Sequence, residues 1–231
     1  MIKISKEEKE WLVSKGVKFG ENGISHTYNK NKHYTKEGES VLLNRYSYKK
    51  AKGDIESARA DGAEFVITYI HWGIEYDNTE SDEQKKIAKE LAEAGSDYII
   101  GSHPHCLQPY DRIQSDDGRT VPVVYSMGNF VSQMKVRPIT QDSMILKISL
   151  ARKKSGKVYL KSDGYIPCKI MTEYKGNNFT SLPLTSPYNN GNTSTEAKET
   201  SSRIRKVIGD KIKVLGRTPI TYMKVKLDYT K

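Results

Sequence analysis

The sequence is poor in several features that would by themselves indicate a class of protein. Only two cysteines occur in its 231 residues, Cys106 and Cys168, and the sequence does not show whether they pair. No apolar run approaches the length of a membrane-spanning helix, and no signal peptide opens the chain. No nucleic-acid-binding motif is present, and aromatic residues are not interleaved with basic runs, so no nucleic-acid partner is expected.

The charge balance, in contrast, is strongly basic. Lys and Arg number 38 against 28 Asp and Glu, which gives a formal net charge of +10 at pH 7. This charge predicts an anionic partner, such as an acidic polymer or an anionic cell-envelope surface, with a lysine-rich solvated surface as the alternative. Hydrophobic residues make up 36% of the chain, so we expect polar loops beside the core of a single α/β domain.

Three apolar segments in the middle of the chain each end in polar residues. They cover residues 65–76, 98–105 and 121–130, and each predicts a buried strand followed by a loop. The first two segments are nearly continuous apolar runs, which are typical of parallel strands covered on both faces. Between them, Ser81 and Gln84 have capping-box spacing, and the helix that they begin predicts a βαβ unit.

Further elements are predicted on both sides of this unit. A helix that is capped by Asp54 and closed by Gly62 precedes the first strand, and Asp117-Gly118 marks a hairpin. The predicted fold class is α/β, with a βαβ core and additional antiparallel strands over residues 143–171. We expect a poorly defined segment over 1–40, a core over 41–172, and then a polar loop over 174–195, a helix over 196–208 and a strand over 220–227 within a last region, 173–231.

Three of the five histidines follow two of the predicted strands. His71 ends the first strand, and His103 and His105 flank Pro104 after the second. Pro104 disfavours the helical conformation at His103, so this segment is expected to be extended, with both imidazoles on one side. Ligands bind at the carboxyl ends of parallel strands. Imidazoles that converge there predict a transition-metal site or general acid–base catalysis; the alternative is hydrogen-bonded loop histidines.

Other polar residues near these strand ends extend the candidate site. Glu75 is expected to orient an imidazole or to act as a base, and the alternative is a surface ion pair. Gly128 allows a close approach of the backbone to a ligand, and Asn129 offers both a donor and an acceptor, although Gly-Asn also suits a plain turn. Cys106 is interpreted either as a soft metal ligand or as a small buried side chain.

The order and spacing of these motifs resemble a known family. IHWGIEY, a helix, AGSDYIIGSHPHCLQPYD and VVYSMGNF, within roughly residues 39–170, resemble the CapA-type poly-gamma-glutamate capsule proteins. The resemblance implies a layered fold like that of the calcineurin-like metallophosphoesterases. It also implies a divalent metal (Mn, Zn or Fe) held by His71, His103 and His105. With Glu75, these histidines are the expected catalytic residues, and the expected substrate-binding residues are Gln108, Gly128 and Asn129.

The sequence departs from the family pattern in two respects. Ser102 stands where the family has the first histidine of Gly-His-His-Pro-His. The Gly-Asp, Asn-Glu and Asn-His motifs that open the family have no counterpart here, so an acidic bridging ligand for two metals is missing. Glu75 and Asp111 are the local carboxylates. The chain is therefore expected to be the C-terminal part of a longer family member, or a truncated one.

Three functions follow from the resemblance and the charge. The first is capsule or poly-gamma-glutamate synthesis, export or processing by a metal-dependent hydrolase. It is expected outside the cytoplasm, at the cell surface or anchored by a segment outside this chain; a cytoplasmic location is the alternative. The second function is metal-dependent phosphoester hydrolysis. The third is a non-enzymatic module that binds a polyanion or joins a capsule-synthesis complex at the membrane.

Overall fold

The computed structural model of the protein describes residues 18–20, 23–25, 46–132, 134, 137–174, 177–185 and 195–215. The chain divides into two compact units, Met1–Tyr46 and Ser47–Lys231. In the first unit, β1 (Lys18–Gly20) pairs antiparallel with β2 (Gly23–Ser25). The predicted strand over 220–227 lies outside the described residues.

The second unit mixes helices with parallel and antiparallel strands, which confirms the predicted α/β class. Among the described residues, the second unit also contains one 3₁₀ helix, Pro138–Gln141. In chain order the regular elements are α1 (Tyr48–Ala60), β3 (Ile67–His71), α2 (Asp82–Ala94), β4 (Tyr98–Ser102), β5 (Leu107–Gln114), β6 (Thr120–Met127), β7 (Asp142–Arg152), β8 (Val158–Tyr174), β9 (Asn177–Pro183), α3 (Thr195–Ile208) and β10 (Lys213–Val214).

The first sheet has the strand order β3-β4-β6-β5. Strands β3, β4 and β6 are parallel, and β5 runs antiparallel to β6. The predicted βαβ unit is confirmed, since α2 connects β3 to β4. Ser81 and Gln84 form the predicted capping box, and Gly95 ends α2 in the left-handed conformation, at φ 108°. The predicted hairpin is confirmed as β5 and β6, with Gly118 at φ 81° in the turn.

Strand β3 differs from the prediction. It lies at an edge of the sheet that the described strands form, and its side chains alternate between exposed and half-buried. Ile67 is 45% exposed and Tyr69 is 66% exposed. The prediction that this strand is covered on both faces is therefore wrong, whereas β4 is mostly buried. A strand with an apolar sequence is buried only when other elements cover both of its faces. The apolar run itself does not show whether the strand lies in the centre or at the edge of its sheet.

Helix α1 begins earlier than predicted. Ser47 is its N-cap, and the Ser47 hydroxyl accepts a hydrogen bond from the backbone N–H of Lys50 at 3.3 Å. Asp54 therefore lies inside the helix and does not cap it, so the predicted start is wrong. The predicted inward position of Ile55 is confirmed, because this side chain is buried. None of the helices that the structure describes has the length and apolar character needed to cross a membrane.

The second sheet is built on the long strand β8. Strands β7 and β9 pair with it antiparallel, and β10 pairs with it in parallel. The antiparallel strands predicted over 143–171 are confirmed as β7 and β8. The prediction of a loop over 174–195 is wrong for residues Asn177–Pro183, which form β9. A polar segment is able to form a strand because its backbone N–H and C=O groups pair with those of a neighbouring strand. The helix predicted over 196–208 is confirmed as α3.

Both sheets and α3 share one hydrophobic core. An isolated bridge between Gly128 and Ser143 also connects the end of β6 to the start of β7. Met127, the last residue of β6, packs against this core, so the core and the bridge support the carboxyl end of β6 beside the candidate site. Its buried side chains are Tyr98, Leu107, Tyr110 and Val124 from the first sheet, Met144 and Tyr165 from the second, and Ile204, Ile208 and Ile212 from α3 and the residues after it.

Candidate functional site

The strand register places His71 beside Ser102. In the parallel pair of β3 and β4, Ile67 lies opposite Tyr98, and His71 lies opposite Ser102. The N–H of Trp72 continues this pairing by donating to the carbonyl of Ser102 at 2.9 Å. The residue that follows Ser102 is His103, so the structure brings two of the predicted site histidines to the same end of the sheet.

His71 and His103 face each other through ring nitrogens. His71 Nε2 and His103 Nδ1 are 2.9 Å apart, and Ser102 Oγ lies 3.4 Å from the other ring nitrogen of His71, Nδ1. Partial burial lowers the pKa of His71, and the neighbouring His103 and His105 rings lower this pKa further. The lowered pKa favours the neutral form of His71, and a neutral imidazole is the form that accepts a proton or binds a metal.

The backbone around these histidines is strained at three residues that are not glycine. Tyr76, His103 and His105 have φ values of 63°, 115° and 57°, a region that L side chains rarely adopt. The prediction that Pro104 holds His103 extended is therefore wrong. The rings of His103 and His105 are 6.3 Å apart and tilted by 48°. A hydrogen bond of 2.7 Å from the N–H of Tyr76 to the carbonyl of Pro104 holds this turn against the loop after β3.

His105 is held by Asn129 and Tyr76. Its Nδ1 lies 2.8 Å from Asn129 Oδ1, and Asn129 Nδ2 donates to the carbonyls of His105 and Thr140, both at 3.1 Å. The Tyr76 ring stacks on the His105 ring, with centroids 6.1 Å apart. Asn129 was predicted to contact substrate. In the structure both N–H groups of its amide donate to carbonyls of the protein, and its oxygen lies within hydrogen-bond distance of His105. Its contact with substrate stays a prediction.

Gln108 lies below the surface and supports the loop after β3. It is fully buried, and its Nε2 donates to the carbonyls of Asp77 and Thr79 at 3.0 and 2.9 Å. Its Oε1 accepts from the buried side chain of Gln84 at 2.7 Å. The substrate-binding role predicted for Gln108 is therefore corrected, because these bonds commit its amide to the fold. Sequence spacing located Gln84 as a capping residue but gave no sign of this second contact.

Two glycines admit close neighbours beneath the site. A Cβ at Gly128 would lie 2.8 Å from the carbonyl oxygen of Asp142, so its small size serves the packing of β6 on β7. That Gly128 also allows a close approach of the backbone to a ligand stays a prediction. A Cβ at Gly101 would collide with the carbonyl of Tyr125 and with the indole of Trp72. That indole donates to the Tyr125 carbonyl at 2.8 Å, directly across Gly101.

Two aromatic residues that sequence reasoning missed support the histidines. Tyr76 stacks on His105, and the Trp72 ring stacks on Tyr125 with centroids 5.8 Å apart. Both Tyr76 and Trp72 belong to the segment IHWGIEY, which was identified as a motif through His71. Their place in this motif was the available signal, but the pattern did not show what they contact.

The remaining candidate ligands are two carboxylates and a thiol. Glu75 is exposed in the loop after β3, and Asp111 forms an ion pair with Lys211. Cys106 and Cys168 are both buried free thiols, so they do not form a disulfide. Burial raises the pKa of Cys106 to about 12. Cys106 therefore matches the alternative of a small buried side chain, since a metal ligand would need to be a thiolate.

The histidine pair has the spacing of two ligands of one metal ion. Nitrogens that each lie about 2.0–2.1 Å from a shared ion are separated by roughly 3 Å, and the 2.9 Å between His71 Nε2 and His103 Nδ1 suits this. His105 adds a ring nitrogen, Nε2, that is not used by Asn129. Within the described ranges, no three His, Cys, Asp or Glu side chains are grouped to hold a metal. The pair therefore fits part of a coordination sphere.

Comparison with known proteins agrees with the motifs. The chain is 38% identical over 96 residues to the PGA biosynthesis protein CapA of Bacillus subtilis (strain 168), and this match covers 41% of this chain and 23% of that protein. It is 41% identical over 91 residues to the capsule biosynthesis protein CapA of Bacillus anthracis, which covers 39% of this chain and 20% of that protein. The matched region thus spans about a fifth to a quarter of the length of these relatives.

The family match extends beyond these two relatives. The family described as bacterial capsule synthesis protein PGA_cap matches residues 6–134, which is more than half of the chain. This range contains the strand ends that carry His71, His103, His105 and Asn129. The chain therefore belongs to the PGA_cap family of bacterial capsule synthesis proteins.

Proposed function

We propose that this protein acts in the synthesis, export or processing of an anionic capsule polymer of the poly-gamma-glutamate type, through a metal-assisted hydrolytic site. The observation that carries the proposal is the pair of ring nitrogens, His71 Nε2 and His103 Nδ1, which lie 2.9 Å apart at the carboxyl ends of adjacent parallel strands. This is the edge where parallel sheets bind ligands. The family description and the name of the Bacillus subtilis relative both contain PGA, and the name of the Bacillus anthracis relative gives capsule biosynthesis.

The histidines would hold a divalent ion, with Mn, Zn and Fe as the candidates. His71 and His103 supply the two facing nitrogens, and His105 supplies Nε2. The lowered pKa of His71 favours this role, because only an unprotonated ring nitrogen binds a metal. When bound, a divalent ion supplies Lewis acidity toward a carbonyl or phosphoryl oxygen. Glu75 lies exposed on the loop that follows His71, where it is accessible to serve as a base toward a polymer lying over the site.

The charge of the chain suits a polyanionic substrate. A formal net charge of +10 attracts poly-gamma-glutamate at low ionic strength, and salt screens this attraction over a Debye length of about 8 Å at 0.15 M. Because a capsule polymer lies outside the cytoplasm, we propose that the protein acts there, at the cell surface or in a capsule-synthesis complex at the membrane. The location and the complex belong to the proposal in the same way as the substrate.

Metal binding tests the histidine pair directly. Purified protein is dialysed against Mn²⁺, Zn²⁺ or Fe²⁺, and bound metal is quantified by elemental analysis and calorimetric titration. We expect one ion per chain and a loss of affinity of at least tenfold in His103→Ala. His33→Ala is the matched control, because it removes an imidazole outside the strand ends. Equal metal binding by all three proteins would contradict the proposed site.

Substrate choice is tested with two compounds in parallel. Cleavage of poly-gamma-glutamate is measured as a decrease in the length of the polymer, and hydrolysis of an aryl phosphate is measured as the amount of phenol released. We expect shortening of the polymer that is lost in His103→Ala and on addition of a chelator. Turnover of the aryl phosphate alone, with the same sensitivities, would instead assign phosphoester hydrolysis to the site.

A second candidate is a non-enzymatic module that binds the polymer. The incomplete donor set among the described side chains favours it, because two or three imidazoles without a carboxylate are a partial site for a hydrolase. This function predicts polyglutamate binding that weakens with salt and persists in a His71→Ala, His103→Ala double variant. Binding that depends on both histidines would rule this candidate out.

A further inference from the structure

We infer that Asn129 is a positioning residue: it fixes the tautomer of His105 that has hydrogen on Nδ1, so that Nε2 is the ring nitrogen presented to a ligand. The inference deepens the proposed function of this site by assigning the nitrogen through which His105 acts. It concerns the protein without any bound metal, and it therefore stands or falls separately from the metal-assisted reaction.

The orientation of the Asn129 amide is set by two carbonyls. Its Nδ2 donates to the carbonyl of His105 and to the carbonyl of Thr140, both at 3.1 Å. These two bonds use both hydrogens of the NH₂ group. In the flipped orientation the amide oxygen would face both carbonyl oxygens, and both hydrogen bonds would be lost. The oxygen Oδ1 must therefore be the atom that faces the His105 ring.

The amide orientation determines the protonation of His105. An amide oxygen only accepts hydrogen bonds, so its partner at 2.8 Å, His105 Nδ1, must carry a hydrogen. A neutral imidazole has one N–H, and Nε2 is then left with a free lone pair. That is the state needed to bind a metal or to accept a proton. In the His71–His103 pair, by comparison, either ring is able to donate, so the contact alone does not select a tautomer.

The surroundings keep this amide in place. Thr140 is fully buried, and the one hydrogen of its hydroxyl is shared between the carbonyls of Arg137 and Met134, at 2.8 and 3.1 Å. This contact fixes the turn in which the carbonyl of Thr140 accepts from Asn129. On the other side, Tyr76 stacks on the His105 ring. An aspartate here would keep the accepting oxygen but lose both donors, which makes asparagine the side chain that holds the ring and the strained His105 backbone together.

The tautomer is measurable by NMR on the full 231-residue chain. Protein with ¹⁵N-labelled histidine, free of metal and at about pH 8, gives long-range ¹H–¹⁵N correlations that distinguish Nδ1–H from Nε2–H rings, and His105→Gln identifies the His105 signals. We expect the Nδ1–H pattern for His105. An Nε2–H pattern in the wild-type protein would overturn the inference without any variant that risks misfolding.

Two variants and a control separate positioning from support of the loop. Asn129→Ala removes the acceptor, and we expect His105 to shift to a mixture or to Nε2–H. Asn129→Asp keeps the acceptor without the donors, and we expect Nδ1–H to remain. Asn78→Ala is the control, since Asn78 donates to the carbonyl of Leu107 at 2.6 Å and so supports the same loop through a residue that is not a histidine. An unchanged His105 pattern in Asn129→Ala, or a change of equal size in Asn78→Ala, would overturn the inference.

Metal titration supplies a second readout. We expect Asn129→Ala to weaken Zn²⁺ or Mn²⁺ binding by about 10–100-fold, the usual cost of losing a group that orients a ligating histidine, and Asn78→Ala to leave it unchanged. If the wild-type protein binds no metal, the metal-assisted function fails while the NMR result decides the tautomer. If metal binds and Asn129→Ala binds it equally well, the positioning role of Asn129 toward the metal is refuted.

Discussion

Two polar clusters of this protein use titratable side chains in opposite ways. The first joins the two sheets around Asp163, whose side chain is only 5% exposed. Tyr110 and Tyr98 donate their hydroxyls to Asp163 Oδ2 at 2.6 and 3.2 Å, and Arg112 donates to Oδ1 at 3.0 Å. Three donors from β4 and β5 thus converge on one carboxylate of β8. This cluster, the Asp163 cluster, satisfies its polar groups internally.

The histidine cluster of His71, His103 and His105 is the second. It lies at the strand ends, half-buried or exposed, on backbone that is strained at two of the three residues. His71 and His103 share a single contact, and His105 keeps one ring nitrogen free of Asn129. The comparison shows two uses of polar side chains. Donors and acceptors that pair with each other inside the fold stabilise it, whereas donors and acceptors at a strand end are available to a ligand.

The largest expected effect comes from breaking the Asp163 cluster. Asp163→Ala leaves two hydroxyls and a guanidinium without their acceptor, and we expect a loss of about 3–5 kcal/mol in the free energy of unfolding. Urea denaturation measures it. Asp116→Ala is the control, because Asp116 is largely exposed and its ion pair with Lys89 contributes at most about 1 kcal/mol. Similar losses in both variants would mean that the Asp163 cluster does not hold the sheets.

The next effect concerns the support beneath the histidine cluster. Gly101→Ala pushes a methyl group into the Tyr125 carbonyl and the Trp72 indole, and we expect it to lower stability by about 1–3 kcal/mol. Gly53→Ala is the matched control: this position lies within α1 with nothing near its Cβ, so alanine should stabilise by about 0.5–1 kcal/mol. Thermal and urea unfolding compare the two. A stabilising Gly101→Ala would contradict the close approach of Trp72.

The Asp163 cluster also predicts a pH dependence of stability. Burial and the neighbouring Asp163 raise the pKa of Tyr110 above its ordinary value of 10.0. Above about pH 10 the unfolded chain loses a proton that the folded protein keeps, so this contribution is complete below pH 10 and declines as pH rises. We expect Tyr110→Phe to make the decline shallower by about 1.4 kcal/mol per pH unit, measured by urea unfolding between pH 9 and 11. Parallel curves would place Tyr110 in contact with water.

The smallest effect tests the histidine cluster by titration. The pKa of His71 is lowered by burial and by the neighbouring imidazoles, so His103→Ala should raise it toward the ordinary 6.5. NMR titration of the His71 ring measures the shift, with His33→Ala as the comparison. A fall in the pKa of His71 on removing His103 would show that the contact stabilises the protonated ring.

The sequence predicted where the candidate site lies, but it did not predict the backbone conformations or the hydrogen-bond partners of the residues in it. Strand–helix–strand spacing was sufficient to place His71 and His103 at one sheet edge, because parallel register follows from a short crossover connection. It did not predict that His103 and His105 adopt positive φ, since that conformation depends on hydrogen bonds from Tyr76 and Asn129, which lie elsewhere in the chain. The role of Gln108 was mistaken for the same reason: the partners of its amide, Gln84, Asp77 and Thr79, are distant in sequence.

The amino-acid order alone determined the family and the α/β class from the order of its motifs, and it determined the caps of α2 and the turn between β5 and β6 from residues within a few positions of one another. The tertiary structure alone decided that β3 is exposed, that Asn129 serves His105, and that the buried glutamines anchor the loop after β3. Those outcomes depend on which side chains meet across strands and sheets. Local propensity carries no information about such contacts, since they are selected by packing and by the need to satisfy every buried polar group.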